Sequence, residues 1–286
     1  MPEFPLRIEL ELSCVCNLTC SYCPRRYVDD LSGFMDPALF KQLIDEISNY
    51  KDRVIVLHRR GESLLHPDFE ELLYYCKGKH KEVQIATNGT IMTDSKLEAM
   101  VATLSFVSFS IDLPERIKDT RGVDYEIVAA NIEKFLQRNN GRVETQVSMV
   151  KDNDVTDAQV SQFTNLWKGK VDRIRVYEEH SSDGDYGSLN RDRGERQPCI
   201  MPFYEMLIFC DGMVGRCNHD WDGEPIGDVN KDTLHKIWYS AGLQDLRRQH
   251  EALTITDGTC KNCDSWYPAE KNQGTGTVAE GISKKL

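Results

Sequence analysis

Apolar residues recur with two different periods along the chain, and the alternation of these periods is the first guide to its fold. Over residues 6–12 every second residue is apolar, which predicts a strand with one polar face. Over residues 39–47 the apolar positions are three or four residues apart, and Asp36-Pro37 precedes them as a cap and a first helical residue. This segment is therefore predicted to be the first helix.

The same two patterns alternate up to Tyr177. Strands are predicted at residues 6–13, 53–58, 83–87, 105–112, 143–150 and 171–177, and helices at about 37–47, 67–77, 93–102, 125–138 and 156–167. Alternating strands and helices fold as parallel sheets with right-handed crossovers. In such sheets, ligands bind at the carboxyl ends of the strands.

Several of these strands carry polar residues on one face, although the strands of a covered parallel sheet are usually apolar on both faces. Ser108, Ser110 and Asp112 share one face of the fourth strand, and Arg173 and Arg175 alternate in the same way in the sixth. A sheet that is covered by helices outside but is polar inside must curl around polar ligands. We therefore expect an α/β fold, an open, partial (β/α)6 barrel with a polar lumen.

The periodic pattern stops after residue 178, and a second unit follows. Residues 179–198 show no apolar period, which predicts a linker and a substrate-facing loop. Apolar stretches at 203–209 and 213–216 then flank Asp211-Gly212, a hairpin signature, and 234–250 has the spacing of an amphipathic helix. We divide the chain into a barrel at 1–178, a linker at 179–198, a small hairpin-and-helix unit at 199–270 and a tail at 271–286.

The charge and the absence of long apolar runs narrow the possible partners. The net charge is −11, which would repel nucleic-acid phosphates, so we expect no nucleic-acid partner and favour a cationic or neutral polar substrate. No apolar run approaches the roughly 18 residues of a membrane helix, and the start of the chain shows no secretory signal. These observations predict a cytoplasmic protein without a membrane partner.

Ten cysteines lie mainly towards the two ends of the 286-residue chain, which points to metal binding rather than to disulfides. Cys16, Cys20 and Cys23 follow the first strand with the spacing CxxxCxxC. Three thiolates leave one iron of a 4Fe-4S cluster without a protein ligand, whereas structural zinc sites use four ligands. The triplet therefore favours an iron-sulfur cluster with an open position. A zinc site or unrelated buried thiols are the alternative.

This loop, CNLTCSYCP at residues 16–24, resembles the cluster loop of radical SAM enzymes, and further matches run along most of the chain. The resemblance implies that the three cysteines bind a 4Fe-4S cluster whose fourth iron is chelated by S-adenosylmethionine. It also implies a set of cofactor-binding residues: Tyr22 in the cluster loop, Gly61 and Glu62 in an Arg-Gly-Glu version of the family's GGE, Thr87 and Asn88 in TNG, Ser110 and Asp112 in SID, and Arg121 in TRG. In such enzymes a 5′-deoxyadenosyl radical takes a hydrogen atom from the substrate, and the protein orients the reactants and excludes water.

The late cysteines Cys199, Cys217, Cys260 and Cys263 resemble those of the SPASM domain, or of its shorter Twitch form, which binds auxiliary clusters. No cysteine follows Cys263. The resemblance therefore implies one auxiliary 4Fe-4S cluster with four protein ligands and a role in electron transfer. A structural zinc site is the alternative for these four residues.

Over the whole chain the resemblance is strongest to the Twitch dehydrogenases of aminocyclitol antibiotic biosynthesis. It implies oxidation of a carbinol carbon in a small, polar, carbohydrate-like substrate, with the auxiliary cluster accepting an electron. A reducing partner such as flavodoxin or ferredoxin would supply electrons to the first cluster. Glu178, Glu179 and His180, which follow the sixth strand, are candidates for the base.

Three other functions stay open. A radical epimerase would return a hydrogen atom to the substrate from a cysteine, for which Cys14 and Cys210 are the candidates. A peptide-modifying radical SAM enzyme is the second alternative, and a non-enzymatic iron-sulfur electron carrier is the third. His58 and Arg59, after the second strand, would either contact substrate or form ion pairs at the rim.

Overall fold

The computed structural model describes residues 1–29, 31–80, 82–179, 195–221, 223–256, 258–263 and 266. Its strands are β1 (Arg7–Leu10), β2 (Val54–Val56), β3 (Glu82–Thr87), β4 (Phe106–Ser110), β5 (Glu144–Lys151), β6 (Arg173–Glu178), β7 (Glu205–Ile208), β8 (Met213–Gly215) and β9 (Gly227–Asp228). Its α-helices are α1 (Pro37–Ile47), α2 (Phe69–Lys77), α3 (Asp94–Thr103), α4 (Ile117–Arg121), α5 (Tyr125–Asn139), α6 (Asp157–Trp167), α7 (Met201–Tyr204), α8 (Leu234–Trp238), α9 (Ala241–Ala252) and α10 (Gly258–Asn262). Most of the predicted loop at 179–198 and all of the predicted tail at 271–286 lie outside the described residues.

One nine-stranded sheet runs through the structure in the order β6-β5-β4-β3-β2-β1-β7-β8-β9. Strands β1 to β6 pair in parallel, and helices connect them, which confirms the predicted α/β fold with a partial barrel. On the other edge of β1, β7 also pairs in parallel, with Leu10 opposite Ile208. Strands β8 and β9 continue the sheet in antiparallel pairs. The predicted hairpin is therefore an extension of the barrel sheet.

The first helix shows how the sequence directs the packing of the outer layer. Asp36 Oδ1 accepts hydrogen bonds from the backbone amides of Ala38 at 2.8 Å and Leu39 at 3.0 Å, which satisfies two amides that have no partner within the helix. The buried positions of the helix are Phe40, Leu43, Ile44 and Ile47. Burial of each such side chain stabilises the fold by about 1.5–3 kcal/mol. None of the helices in the described part of the chain has the length and apolar character needed to cross a bilayer.

The strands are apolar on their outer face and largely polar on their inner face. Ile8 of β1 is fully buried in the hydrophobic core. On the opposite face of β1, the buried Arg7 donates to Glu205 of β7 at 2.5 Å. Across β4 and β5, Gln146 Nε2 donates to Ser108 Oγ at 2.9 Å. The polar inner face that alternation predicted is therefore present.

Two predicted elements of the second unit are wrong in detail. The helix predicted at 234–250 is two helices, because the Ser240 hydroxyl accepts the Leu243 amide at 3.3 Å and caps a new helix, α9. The strand predicted at 203–209 begins as the short helix α7, with Pro202 in its first turn, and pairs only from Glu205. Helices α4 and α10 have five residues each, too few to show an apolar period.

Candidate active site

The cluster loop follows β1 and lies beside the carboxyl ends of β2, β3 and β4. Its three cysteines, Cys16, Cys20 and Cys23, are half-buried and line one cavity of about 850 Å³, part of which is open to solvent. The cavity is also lined by the predicted cofactor residues Tyr22, Gly61, Glu62, Thr87, Asn88, Ser110 and Arg121. This is the edge of a parallel sheet where ligands bind.

Gly61 holds the segment after β2 against the cluster loop. A Cβ at this position would lie 2.3 Å from the backbone oxygen of Ser13 and 2.5 Å from that of Val15. The next amide, that of Glu62, donates to Val15 O at 2.8 Å. Gly61 is therefore needed for close backbone packing immediately before Cys16, a role that comes before any contact with a cofactor.

Arg60 stands where the family motif has its first glycine, and its side chain has partners in both units of the chain. Its Nε and Nη2 each donate to a Glu11 carboxylate oxygen at 2.8 Å. Its Nη1 donates to the backbone oxygen of Trp221 at 3.1 Å. Trp221 itself lines the cavity and lies 4.7 Å from Arg59 in a cation–π contact. Sequence reasoning missed Trp221, because no motif marks it.

Glu62 is buried and binds the segment after β3. Its carboxylate accepts from Thr87 Oγ1 at 2.9 Å, from the Asn88 amide at 2.7 Å and from the Leu64 amide at 3.1 Å. Burial raises the pKa of Glu62, and the three hydrogen bonds act in the opposite direction. The carboxylate therefore fixes the position of Thr87 and Asn88 at the cavity.

Asn88 then connects this segment to the cluster loop. Its Nδ2 lies 3.0 Å from Asn17 Oδ1 and 4.0 Å from Cys16 Sγ. Its Oδ1 accepts from the Thr90 hydroxyl at 2.6 Å, and Asn17 Nδ2 donates to the same hydroxyl oxygen at 2.8 Å. The amide of Asn88 thus provides a donor close to the first cluster cysteine.

Asp112 is buried, and its carboxylate binds two of the other predicted cofactor residues, Tyr22 and Arg121. Its Oδ2 accepts from Tyr22 OH at 3.1 Å, from Thr120 Oγ1 at 2.7 Å and from Arg121 Nε at 2.9 Å. Burial is the largest cause that raises the pKa of Tyr22 well above its ordinary value. Asp112 Oδ1 is buried with no hydrogen-bond donor among the described residues, which leaves an acceptor for a bound group.

His58 is a cavity residue whose proton position can be deduced. The Ala86 amide donates to His58 Nδ1 at 3.0 Å, and burial lowers the pKa of His58 to about 4. The ring is therefore neutral near pH 7 and carries its proton on Nε2. His58 lines the cavity and can act there as a hydrogen-bond donor. Its position two residues after Val56, on the inner face, is the sequence signal for it.

Of the predicted base and hydrogen donors, Glu178, Cys14 and Cys210 are not among the described residues that line this cavity. Glu178 is exposed at the end of β6, and His180 lies outside the described residues. Cys14 and Cys210 contact each other, with 3.3 Å between their sulfur atoms. The structure brings these two cysteines together. Neither lines the cavity itself, although the lining residue Gly61 packs against the Cys14 backbone.

The four late cysteines surround a second cavity of about 340 Å³ in the C-terminal unit. Cys199 precedes α7, Cys217 follows β8, Cys260 lies on α10 and Cys263 follows that helix. Burial is the main cause that raises the pKa of Cys260 to about 12, and the neighbouring Cys199 and Cys263 contribute in the same direction. Thiols packed this closely ionise with difficulty on their own, whereas bound iron would stabilise four thiolates.

The two sets of cysteines match the ligand counts of 4Fe-4S sites. The three cysteines of the cluster loop line the first cavity and would leave one iron open, and the four around the second cavity would supply a ligand to every iron.

Comparison with known protein families agrees with this chemistry. The family model of the radical SAM superfamily matches residues 10–166. The chain belongs to the radical SAM superfamily. A second family model, the SPASM iron-sulfur cluster-binding domain, matches residues 199–264, which include the four late cysteines. Membership implies S-adenosylmethionine and a 4Fe-4S cluster at the cluster loop, together with an auxiliary iron-sulfur cluster in the C-terminal unit.

Curated relatives match this radical SAM protein over very different shares of their length. It is 28% identical over 128 residues to a tungsten-containing aldehyde ferredoxin oxidoreductase cofactor-modifying protein of Pyrococcus furiosus, covering 44% of this chain and 36% of that relative. It is 22% identical over 271 residues to the S-adenosyl-L-methionine-dependent 2-deoxy-scyllo-inosamine dehydrogenase of Niallia circulans, covering 90% and 92%. The chain thus spans about a third of the first relative and nearly all of the second.

Solved structures share the fold. BtrN in complex with AdoMet and 2-DOIA aligns with a TM-score of 0.65 at 20% identity, over 93% of this chain and 95% of BtrN. Streptococcus suis SuiB bound to precursor peptide SuiA aligns with a TM-score of 0.72 at 13% identity, over 91% of this chain and 70% of SuiB. The partial barrel with its C-terminal extension is therefore an arrangement found in several solved structures.

Proposed function

We propose that this radical SAM enzyme oxidises a carbinol carbon of a small polar substrate, of the sugar or aminocyclitol class, to a ketone. The observation that carries the proposal is the auxiliary site, where Cys199, Cys217, Cys260 and Cys263 surround one cavity. Four protein ligands leave no iron free for substrate, so this cluster suits electron transfer. The end-to-end match with a dehydrogenase of an aminocyclitol supports the same reaction class.

The residues of the first cavity fit the cofactors that the family implies. Cys16, Cys20 and Cys23 would hold the cluster and leave one iron for S-adenosylmethionine. When bound, this pair supplies a 5′-deoxyadenosyl radical that takes a hydrogen atom from the substrate. Glu62 and Asp112 hold the surrounding segments in place through the hydrogen bonds described above.

The lumen offers donors for the hydroxyl oxygens of a polar substrate. His58 presents its Nε2–H at the cavity. Arg175 Nε, on the inner face of β6, is buried without an acceptor among the described residues, and Gln146 and Ser108 lie on the neighbouring strands. A ligand with hydroxyl oxygens as acceptors would satisfy the donors of His58 and Arg175, which favours a carbohydrate-like molecule over an apolar one.

Conversion of a carbinol to a ketone removes one hydrogen atom from carbon, one proton from the hydroxyl and one electron. The electron would pass to the auxiliary cluster, and the reducing equivalents for the first cluster would come from a partner such as flavodoxin or ferredoxin. Glu178 and His180 remain proposals for the proton acceptor. Glu178 ends β6 at the carboxyl edge of the sheet, the edge where the cavity lies.

The test is anaerobic reconstitution followed by incubation with candidate amino sugars and cyclitols in deuterated buffer. We expect about eight irons per chain, four for each cluster, and a ketone product formed as S-adenosylmethionine is consumed. Solvent deuterium at the substrate carbon, without a ketone, would instead identify an epimerase.

Replacement of an auxiliary cysteine tests the role of the auxiliary cluster separately from that of the first cluster. Cys217→Ala should lower the iron content from about eight to about four atoms. The variant should still cleave S-adenosylmethionine reductively, but it should form no ketone, because the electron acceptor is missing. Cys76→Ala, at a buried position on α2 outside both cavities, is the matched control and should keep both clusters. Full ketone formation by Cys217→Ala would rule out the auxiliary cluster as acceptor.

A further inference from the structure

Cys14 and Cys210 meet because they follow neighbouring parallel strands. Leu10, at the end of β1, pairs with Ile208, at the end of β7, and each cysteine comes a few residues later. Their sulfur atoms are 3.3 Å apart. We propose that Cys14 and Cys210 form a redox-active dithiol that closes to a disulfide when a low-molecular-weight disulfide oxidises it.

The pair has no part in the two cluster sites. Neither cysteine belongs to the cluster loop triplet or to the four auxiliary ligands, and neither lines the two cavities. Besides their contact with each other, these sulfur atoms make one hydrogen bond within the described residues, from Cys14 Sγ to Gly33 O at 3.4 Å. When both clusters are bound, Cys14, Cys210 and Cys76 are the thiols not engaged with iron. Of these, only Cys14 and Cys210 are within reach of one another.

The backbone on both sides of the pair is held in place. The Cys210 amide donates to Glu11 Oε2 at 3.1 Å, and this carboxylate also binds the Arg60 guanidinium. Arg25 donates to the Cys14 backbone oxygen through Nε at 3.3 Å and Nη2 at 3.1 Å. The sulfur atoms therefore face each other from two anchored chain segments, and oxidation would have to shorten their separation from 3.3 Å to the length of a disulfide bond.

Exposure indicates the order of the two steps. Cys210 is partly exposed, whereas Cys14 is only 2% exposed. Cys210 sulfur would attack oxidised glutathione, forming a mixed disulfide and releasing one reduced glutathione. Cys14 sulfur would then displace the second glutathione. The two cysteine protons end on the two glutathione thiols, and one disulfide joins the end of β1 to the end of β7.

The test uses the anaerobically reconstituted protein with both clusters bound. It is incubated with oxidised glutathione, unfolded with chelator and light N-ethylmaleimide, reduced, and labelled with deuterated N-ethylmaleimide. Trypsin places Cys14 on one peptide with the cluster loop triplet, so fragment spectra assign each label to its residue. We expect the deuterated label at Cys14 and Cys210 in equal amount, and the light label at Cys76 and at the seven ligands.

Two variants act as controls. In Cys14→Ser, Cys210 should carry glutathione or remain a thiol, and in Cys210→Ser the deuterated label at Cys14 should disappear. Both should keep about eight irons. Two results would overturn the proposal: deuterated label at the ligand cysteines, or light instead of deuterated label at Cys14 in the wild-type protein. The wild-type measurement is sufficient if a variant does not fold, and it does not depend on which substrate the enzyme oxidises.

Discussion

Gly61 determines how closely two segments of the active site approach. A methyl group there would collide with backbone oxygens of Ser13 and Val15, and these residues directly precede the cluster loop. Because backbone atoms cannot rotate away as side chains do, relief of the collision would displace the loop that holds the cluster.

We therefore expect Gly61→Ala to destabilise the protein by about 1–3 kcal/mol and to bind about four irons rather than about eight, because the first cluster site is distorted. Calorimetry and iron analysis would measure the two effects. Gly242→Ala is the control, because no atom lies within 4 Å of an added Cβ at that position of α9. Full iron loading in Gly61→Ala would show that the loop tolerates the displacement.

His250 offers a second residue-level test, at the auxiliary site. The Cys199 amide donates to His250 Nδ1 at 3.4 Å, and burial lowers the pKa of His250 to about 4. The neutral ring therefore carries its proton on Nε2. This atom is buried without an acceptor among the described residues, and His250 lines the auxiliary cavity. A sulfur atom of the cluster is the acceptor that this arrangement fits.

Hydrogen bonds to cluster sulfur raise the reduction potential. We expect His250→Phe to lower the midpoint potential of the auxiliary cluster by about 40 mV, the one-electron equivalent of a hydrogen bond worth about 1 kcal/mol. A redox titration followed by electron paramagnetic resonance would measure it. His235→Phe, at an exposed position of α8, should leave the potential unchanged. An equal shift in both variants would contradict the proposed contact.

Much of the candidate site could be predicted at this scale, because the cysteine spacing and the short motifs are local. The partners of those residues could not. The packing of Gly61 and the proton position of His58 depend on Val15 and Ala86, which are distant in sequence. No pattern of spacing reports contacts of that kind.

At the scale of elements, β7 introduces a buried charge beside β1. Arg7 Nη1 lies 2.8 Å from Glu9 and 2.5 Å from Glu205, so one guanidinium serves two carboxylates. Burial is the main cause that raises the pKa of Glu205 to about 7, and Glu9 contributes in the same direction. The ordinary pKa of this group is 4.5, so folding favours its protonated form.

The pH dependence of stability follows from this shift. Because the folded pKa is raised, the stabilising contribution is complete below about pH 4.5 and is lost as the pH rises through about 7. Between pH 6 and pH 8 the titration of Glu205 should lower the free energy of unfolding of the wild-type protein by about 1 kcal/mol. Glu205→Gln should lack that loss, whereas Glu98→Gln, exposed on α3, should retain it. Unfolding at both pH values would measure the difference, and equal losses in both variants would refute the assignment.

The longer elements were predictable, and the short ones were not. The observed ends of β4 and α5 agree with the predicted ranges 105–112 and 125–138 to within about two residues, the usual uncertainty at element ends. Helices α4, α7 and α10 have too few residues for an apolar period, so the sequence pattern is silent about them. The pairing of β7 with β1 also escaped prediction, because a hairpin motif does not specify which sheet edge it joins.

At the scale of the whole molecule, Arg60 joins the barrel to the C-terminal unit. It binds the fully buried Glu11 side chain and the backbone oxygen of Trp221. Its guanidinium carbon also lies 4.0 Å from the centre of the Phe209 ring. The replacement of the usual glycine by arginine therefore adds contacts between the units.

We expect Arg60→Ala to destabilise the protein by about 3–5 kcal/mol, because Glu11 would remain buried without its counter-charge. Lys41→Ala is the control, because it breaks an ion pair between Lys41 and Glu71 whose two side chains are both substantially exposed. It should lower the free energy of unfolding by only about 0–1 kcal/mol. Denaturant unfolding would compare the two. A loss below about 1 kcal/mol for Arg60→Ala would show that water replaces the guanidinium.

The architecture as a whole was predictable from alternation, because polar residues on one face of parallel strands require a wet lumen. The contacts between the two units were not, since Arg60 and Trp221, or Cys14 and Cys210, have no common motif. Such pairs become visible only when the strand order is known.

The parallel pairing of β1 with β7 has a consequence for synthesis on the ribosome. Arg7 and its partner Glu205 are 198 residues apart, so β1 waits until all of the residues between them have been synthesised before its second edge is covered. Until then, β1 presents unpaired amides and carbonyls, and Arg7 is without its ion-pair partner Glu205. An edge of this kind invites association with other nascent chains. Conditions that slow translation after β6 would therefore prolong the period in which this enzyme is most prone to aggregate.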